Sequence, residues 1–334
     1  MKLYRITIKF ISFIFFLLNY FNIKLSLILS FYNAPYTIIK ALSLKKRKII
    51  FKNTLNEIDL LHIFKFKNCI EILTKILNNK KITIVKLNSN GFILQYNKLN
   101  FNINSRDNLY TFYEIFVENI YDINSITNNN IIIDIGMNVG FASLYFASLK
   151  QVSKVYSYEP FSNTFNEALF NFKLNNVITN EKINPFNFGI SNYSSKIKVP
   201  QMKSGSPVGS TDRSFIEMNN IASSTNVEVE IKSIEDIVKT IYSRHPKNNL
   251  IIKIDCEGEE YAIIDLMNKS GILNLVHIML IEWHFKGPDV IINTLNKSNF
   301  STFQLPRIYQ DDFETSINTG MIYAFNQNTQ DTSN

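Results

Sequence analysis

The chain has 334 residues, 46% of them hydrophobic and 13% aromatic, with 35 Lys or Arg, 28 Asp or Glu and two cysteines. That length allows one large domain or two, and the apolar content is ample for a core. Two cysteines, Cys69 and Cys256, exclude a disulfide framework and fit a reducing compartment, each reading as a small buried apolar residue. No basic-aromatic motif of a nucleic-acid-binding module appears, so no nucleic-acid partner is expected.

The charge is uneven. Residues 1–56 hold ten Lys or Arg and no acid, which leaves 25 basic and 28 acidic residues for the rest. Within this basic segment, residues 10–23 (F-I-S-F-I-F-F-L-L-N-Y-F-N-I) are apolar but fall short of the roughly 20 residues that span a bilayer. Three readings stay open. A signal peptide has similar regions, but no convincing small-residue cleavage site follows. A basic interfacial helix would be drawn to anionic lipid. A helix packed on the rest of the protein is the third.

Residues 57–80 have the apolar spacing of a helix. Residues 82–87 and 92–96 flank N-S-N-G, a hairpin signal, and 101–104 could add a third strand. Residues 108–123 read as an amphipathic helix capped by Asn108. A polar loop then leads into I-I-I-D-I-G-M-N-V-G, residues 131–140. Its β-branched run is a strand buried on both faces, and Gly136 and Gly140 let the backbone turn and approach a ligand with no Cβ in the way. Residues 141–149 follow as a helix.

A second short strand, 154–159, ends in Glu159, placed to accept hydrogen bonds from ribose hydroxyls. Residues 162–175 read as a helix and 184–190 as the third strand and its end, where Asn187 is a candidate adenine neighbour. The Gly- and Ser-rich stretch 204–214 suggests a binding loop or lid. Residues 227–231 alternate as a strand, and 233–242 form a helix with Ser233 as cap and Asp236 in the box position. The fourth core strand, 249–255, ends in Asp255-Cys-Glu-Gly-Glu, and a helix covers 259–269. The fifth strand, 276–282, ends in Glu282, Trp283 and His284; the helix 290–297 and an antiparallel pair, 301–305 with 321–326, close the domain. Residues 327–334 read as a disordered tail.

Two ligand classes use a strand–turn–helix followed by an acid at the second strand end: nicotinamide dinucleotides and S-adenosylmethionine. The dinucleotide turn wants G-x-G-x-x-G, because a pyrophosphate lies against the helix N-terminus. Here Asn138 and Phe141 stand at the second and third glycine positions, so the pattern fails twice. The observed D-x-G-x-N-x-G suits a ligand without phosphate, which disfavours a nicotinamide dehydrogenase.

Three blocks, Asp134-Ile-Gly-Met-Asn-Val-Gly140, Tyr158-Glu-Pro-Phe161 and Lys253-Ile-Asp-Cys-Glu-Gly-Glu-Glu260, resemble the signature blocks of the FkbM family of methyltransferases, with Ile281-Glu-Trp-His284 as a weaker fourth. The resemblance covers roughly residues 110–326. It implies an α/β fold of the class I methyltransferase, Rossmann-like type: a seven-stranded, mostly parallel sheet with helices on both faces. The N-terminal helix and β-hairpin region would be an extension to it. On this reading the chain divides into the basic apolar segment 1–56, the helix and hairpin region 57–123, an S-adenosylmethionine-binding domain 124–326 and the tail 327–334.

The resemblance further implies S-adenosylmethionine as cofactor and O-methylation of a hydroxyl on a sugar, glycan, glycolipid or polyketide-like acceptor. The cofactor residues would be Asp134, Gly136, Asn138, Gly140, Glu159 and Asn187. A hydroxyl acceptor needs a base; a neutral histidine or a carboxylate of raised pKa would serve. His284 and Glu257 are the catalytic candidates, with Asp255 bridging them. No metal is assigned, although the same cluster could hold a divalent cation. The alternative to an enzyme is a binding or scaffold protein that keeps the fold; the intact Asp134, Glu159 and Asp255 argue against it. A cytoplasmic location is expected, with peripheral contact at the inner membrane face if the basic segment is an anchor.

Overall fold

A computed structural model describes residues 48–50, 57–59, 66, 69–89, 91–123, 128–175, 182–201, 225–310 and 316–328. The readings made for residues 1–33, for the 204–214 loop and for the tail from 329 lie outside these residues. The chain divides into two compact units, Met1–Asn119 and Ile120–Asn334.

In the first unit, β1 (Lys48–Ile50) pairs antiparallel with β2 (Glu57–Asp59), followed by α1 (Ile70–Leu77). The single helix expected over 57–80 is therefore corrected: backbone pairing with an upstream segment overrides the helical period of its first residues. β3 (Ile82–Asn88), β4 (Gly91–Tyr96) and β5 (Leu99–Ile103) form the expected three-stranded meander. Its aromatic face packs on α2 (Arg106–Phe116), with Phe101 centred 5.2 Å from Phe112 and 4.5 Å from Phe116. The cap of α2 is Ser105 rather than Asn108: the Ser105 hydroxyl accepts the Asn108 N–H at 3.1 Å. The helix also stops at 116, not 123, because Asn119 takes a left-handed φ of +57°. Ser105→Ala should cost about 1 kcal/mol, read from urea midpoints.

The second unit holds a seven-stranded sheet. Its strands are β6 (Asn130–Ile135), β7 (Val152–Tyr158), β8 (Ile183–Phe186), β12 (Asn249–Ile254), β13 (Ile278–His284), β14 (Phe300–Gln310) and β15 (Ser316–Asn326). Their order is β14-β15-β13-β12-β6-β7-β8, with every pairing parallel except those of β15. This is the mostly parallel, Rossmann-like sheet that the blocks imply. The helices are α3 (Phe141–Ser148), α4 (Ser162–Lys173), α5 (Ile234–Arg244), α6 (Glu260–Lys269) and α7 (Asp289–Lys297). The pleat sends Ile131, Ile133, Ile252, Ile254, Met279 and Ile281 to one face, into a core with α5, α6 and α7. It sends Asp134 and Ser157 to the other face, where both meet Ser143 of α3. The strand order reverses between β12 and β6, and a crevice opens there, at the carboxyl ends of the strands.

Three sequence readings change. The stretch 184–190 is not one strand. After β8 the chain leaves the main sheet, and β9 (Gly189–Ser191) joins a smaller sheet of order β10-β11-β9 with β10 (Ser195–Gln201) and β11 (Thr225–Ser233). The fifth core strand runs to His284, because β15 pairs with it as far as His284 opposite Thr319; Glu282 and His284 are thus strand residues. Ser233 does cap α5, but it accepts the Glu235 N–H rather than that of Asp236. Past β15, the Gln327 N–H donates to the Asn299 carbonyl at 2.9 Å, so the chain is still tied where the tail was expected to begin. Among the described residues no helix is long and apolar enough to cross a membrane.

Candidate active site

The turn after β6 is built from the backbone outward. The N–H groups of Gly136 and Met137 both donate to the Tyr158 carbonyl, at 3.1 and 2.9 Å, which fastens the turn to the end of β7. Gly136 has φ +76°, and a Cβ there would lie 1.7 Å from the Asp255 carbonyl oxygen. Gly140, at φ +83°, would put a Cβ 2.6 Å from the Phe172 ring of α4. Both glycines are therefore required by the protein's own packing, a demand that adds to the ligand approach expected of them.

Glu159 follows β7 and is 5% exposed. Its carboxylate accepts the Asn138 N–H at 3.0 Å and the Phe161 N–H at 2.9 Å, so one side chain holds the turn and the start of α4 together. Burial pushes its carboxyl up to about 7, against the two N–H donors and the charge of Lys253.

Beneath the turn lies Lys253, a cation in the middle of an apolar strand and 2% exposed. Its Nζ stands 3.1 Å from Asp134 and 3.5 Å from Asp255, and donates to the Gly136 carbonyl at 2.6 Å. Burial alone would lower its pKa; Asp134 and then Asp255 outweigh that and hold it above its ordinary value. Asp134, wholly buried, also accepts the Ser143 hydroxyl at 2.5 Å.

The ends of β12 and β13 carry the second cluster. Glu257 is in the left-handed region at φ +53°, and Phe285 just past β13 is at φ +63°; non-glycine residues rarely adopt this conformation. Glu260, fully buried in the first turn of α6, accepts the N–H of Gly258 at 2.8 Å and that of His284 at 2.6 Å. The same carboxylate faces His284 Nδ1 at 3.3 Å, while Glu257 lies 3.9 Å from Nε2. Burial would lower the His284 pKa, but Glu257 and Glu260 outweigh it and raise it well above the usual imidazole range.

An open cleft of about 680 Å³ joins these parts. Its wall includes Gly136, Asn138, Glu159, Asp255, Glu257 and Glu259, with Ile135, Tyr158, Phe161, Ile190 and Ile231 as apolar surface. Asp134 and Gly140 lie behind the turn rather than on the wall. Asn187 is not on the wall either: its amide donates to the Glu159 and Pro160 carbonyls at 2.9 and 3.2 Å, so it pins the chain where it leaves the sheet. His284 sits one strand over, reaching the wall through Glu257.

Residues 134–301, half of the chain, match the methyltransferase FkbM domain. The chain belongs to the FkbM methyltransferase family. Among curated relatives, Methyltransferase sdnD of Sordaria araneosa is 21% identical over 52% of this chain and 74% of its own length. Methyltransferase 1 of Beauveria bassiana is 23% identical over 45% of this chain and 64% of its own. The crystal structure of an FkbM methyltransferase from Methylobacillus flagellatus aligns at 14% identity and a TM-score of 0.37, over 61% of this chain and 46% of that one.

Two residues of this candidate site were missed at the level of sequence. Lys253 had a visible signal, a lone cation in L-I-I-K-I, which a strand buried on both faces tolerates only with a partner. Glu260 had none, since an acid in the first turn of a helix is already favoured by the helix dipole.

Proposed function

We propose that the cleft binds S-adenosylmethionine and that the protein transfers its methyl group to a hydroxyl of a sugar, glycan, glycolipid or polyketide-like acceptor. The carrying observation is the chemistry of the wall. Four carboxylates line it, Glu159, Asp255, Glu257 and Glu259, and among the described residues none of the lining side chains is basic. Such a wall repels a pyrophosphate and suits a ligand that has a cationic sulfonium and ammonium and no phosphate. The apolar patch from Tyr158, Phe161, Ile190 and Ile231 suits a purine ring.

Glu159 would accept the ribose hydroxyls, and the backbone of the Gly136–Asn138 turn would meet the amino-acid end. Bound there, S-adenosylmethionine supplies a methyl whose bond to sulfur breaks as the bond to the acceptor oxygen forms, the electron pair returning to sulfur. The acceptor hydroxyl must lose its proton in this step. Asp255 and Glu257 are the groups proposed to receive it, with His284, beside Glu257, relaying it onward by giving up a proton of its own. Glu257 is the best placed of the three, being on the wall and next to His284. The donor's cytosolic origin supports a cytoplasmic enzyme, and the excess of Lys and Arg in residues 1–56 supports peripheral contact with anionic lipid.

Titration calorimetry with S-adenosylmethionine, S-adenosylhomocysteine and NAD tests the reading. Both nucleosides should bind and NAD should not. Glu159→Gln should weaken nucleoside binding by about 2 kcal/mol, roughly thirtyfold. The ionised carboxylate is the better acceptor for two hydroxyls, so affinity should rise with pH through the Glu159 pKa of about 7. Tight NAD binding would overturn the proposal; equal nucleoside affinity in Glu159→Gln would remove Glu159 from the ribose.

A further inference from the structure

We propose that Asp255, Glu282 and His284 form a site for one divalent cation at the edge of the cleft. One ring nitrogen of His284 and one carboxylate oxygen each from Asp255 and Glu282 lie within 4.8 Å of one another. Two strand ends bring them together: Asp255 follows β12, and Glu282 and His284 share one face at the end of β13. Glu282 and His284 are both more than nine-tenths buried, whereas Asp255 opens onto the cleft wall. A cation held there would be enclosed on the sheet side and would keep a position open toward the cleft, the arrangement of a reactive rather than a purely structural metal.

The histidine is already oriented for this task. Its Nδ1 faces the buried Glu260 carboxylate, which is itself fixed by the Gly258 and His284 N–H groups. With Nδ1–H donating to Glu260, Nε2 becomes the ligand atom as the arriving cation displaces its proton to solvent, and a buried carboxylate behind a ligating imidazole is the usual way of holding its tautomer. Glu257, 3.9 Å from Nε2, stands beside the same atom.

Charge points the same way. Asp255, Glu257, Glu260 and Glu282 converge on one imidazole, with Lys253 3.5 Å from Asp255, so acids outnumber cations in this cluster. An excess of negative charge favours a cation, and one imidazole with two carboxylates is a donor set for Mn²⁺, Fe²⁺ or Zn²⁺. The role of the cation rests on the proposed function: an acceptor hydroxyl bound at the open position would lose its proton more readily to Glu257.

Mn²⁺ titration of the full chain without nucleoside, followed by electron paramagnetic resonance and calorimetry, tests the site. One Mn²⁺ per chain should bind in the micromolar range. Glu282→Gln and His284→Gln should each weaken it at least tenfold, with circular dichroism matched to wild type. Asp265→Asn, which removes an exposed acid on α6, should leave it unchanged. No saturable Mn²⁺ signal on the wild-type chain, or equal affinity in Glu282→Gln, overturns the site. Nucleoside titration of the same preparation separates the two proposals. Nucleoside binding without Mn²⁺ binding sinks the cation site alone, and the reverse sinks the methyl-donor reading alone.

Discussion

Lys253→Met should destabilise the protein by about 3–5 kcal/mol, the range found when one partner of a buried ion pair is removed. Methionine nearly fills the volume of the lysine stem, so the loss is electrostatic rather than a cavity. Asp134 is wholly buried and would lose its cation at 3.1 Å, and the Gly136 carbonyl would lose its donor at 2.6 Å. The partner variant tests the cause. Adding Asp134→Asn to Lys253→Met removes the stranded charge and should recover a large part of the loss. Urea unfolding with unchanged m values reads both. A loss under about 1 kcal/mol for Lys253→Met would mean that the pair contributes no more than a surface salt bridge. Nucleoside affinity should fall in parallel, because Lys253 joins the Gly136 turn to Asp255 across neighbouring strands.

Gly136→Ala is expected to be nearly as damaging, for a different reason. The left-handed φ of +76° costs an alanine about 1 kcal/mol. The larger part is steric: the new Cβ would stand 1.7 Å from the Asp255 carbonyl oxygen, a backbone atom that cannot swing aside. Parting β6 from β12 to relieve it would open the cleft at its base, so nucleoside binding should disappear along with roughly 3 kcal/mol of stability. Gly271 provides the control. Its φ is +73° with nothing within 4 Å of a built Cβ, so Gly271→Ala should cost only the conformational part. If thermal unfolding shows the two variants equally destabilised, the clash at Gly136 is relieved at no cost and the turn is looser than its geometry.

The contrast between these glycines shows what a sequence carries. D-I-G-M-N-V-G announces a tight turn after a buried strand, because the apolar run before it can only be interior and the glycines can only serve unusual backbone. Why position 136 must be glycine is not in the motif. It depends on a carbonyl 119 positions further along the chain, brought into contact by the pairing of β6 with β12.

The same division runs through the site. The strands 130–135 and 249–254 were legible because nearly every residue in them is buried, and a run of isoleucines has no other place to go. The acid at each strand end was legible as well. Which acids face the ligand was not. Asp134 and Asp255 look alike in sequence, each beside a strand end and a glycine. The pleat and the strand's length turn the first inward onto Ser143 and Lys253, and leave the second on the cleft wall. Asn187, read as a ligand neighbour, is spent on two carbonyls because the chain must leave the sheet at that point. Glu260 reaches His284 across 24 residues only because α6 starts where β13 ends. Local pattern is set by burial and backbone preference, both written residue by residue. The charges around His284 come from three separate segments, the loop after β12, α6 and β13, and only the folded sheet sets the distances that decide whether they form a pair, a base or a cation site.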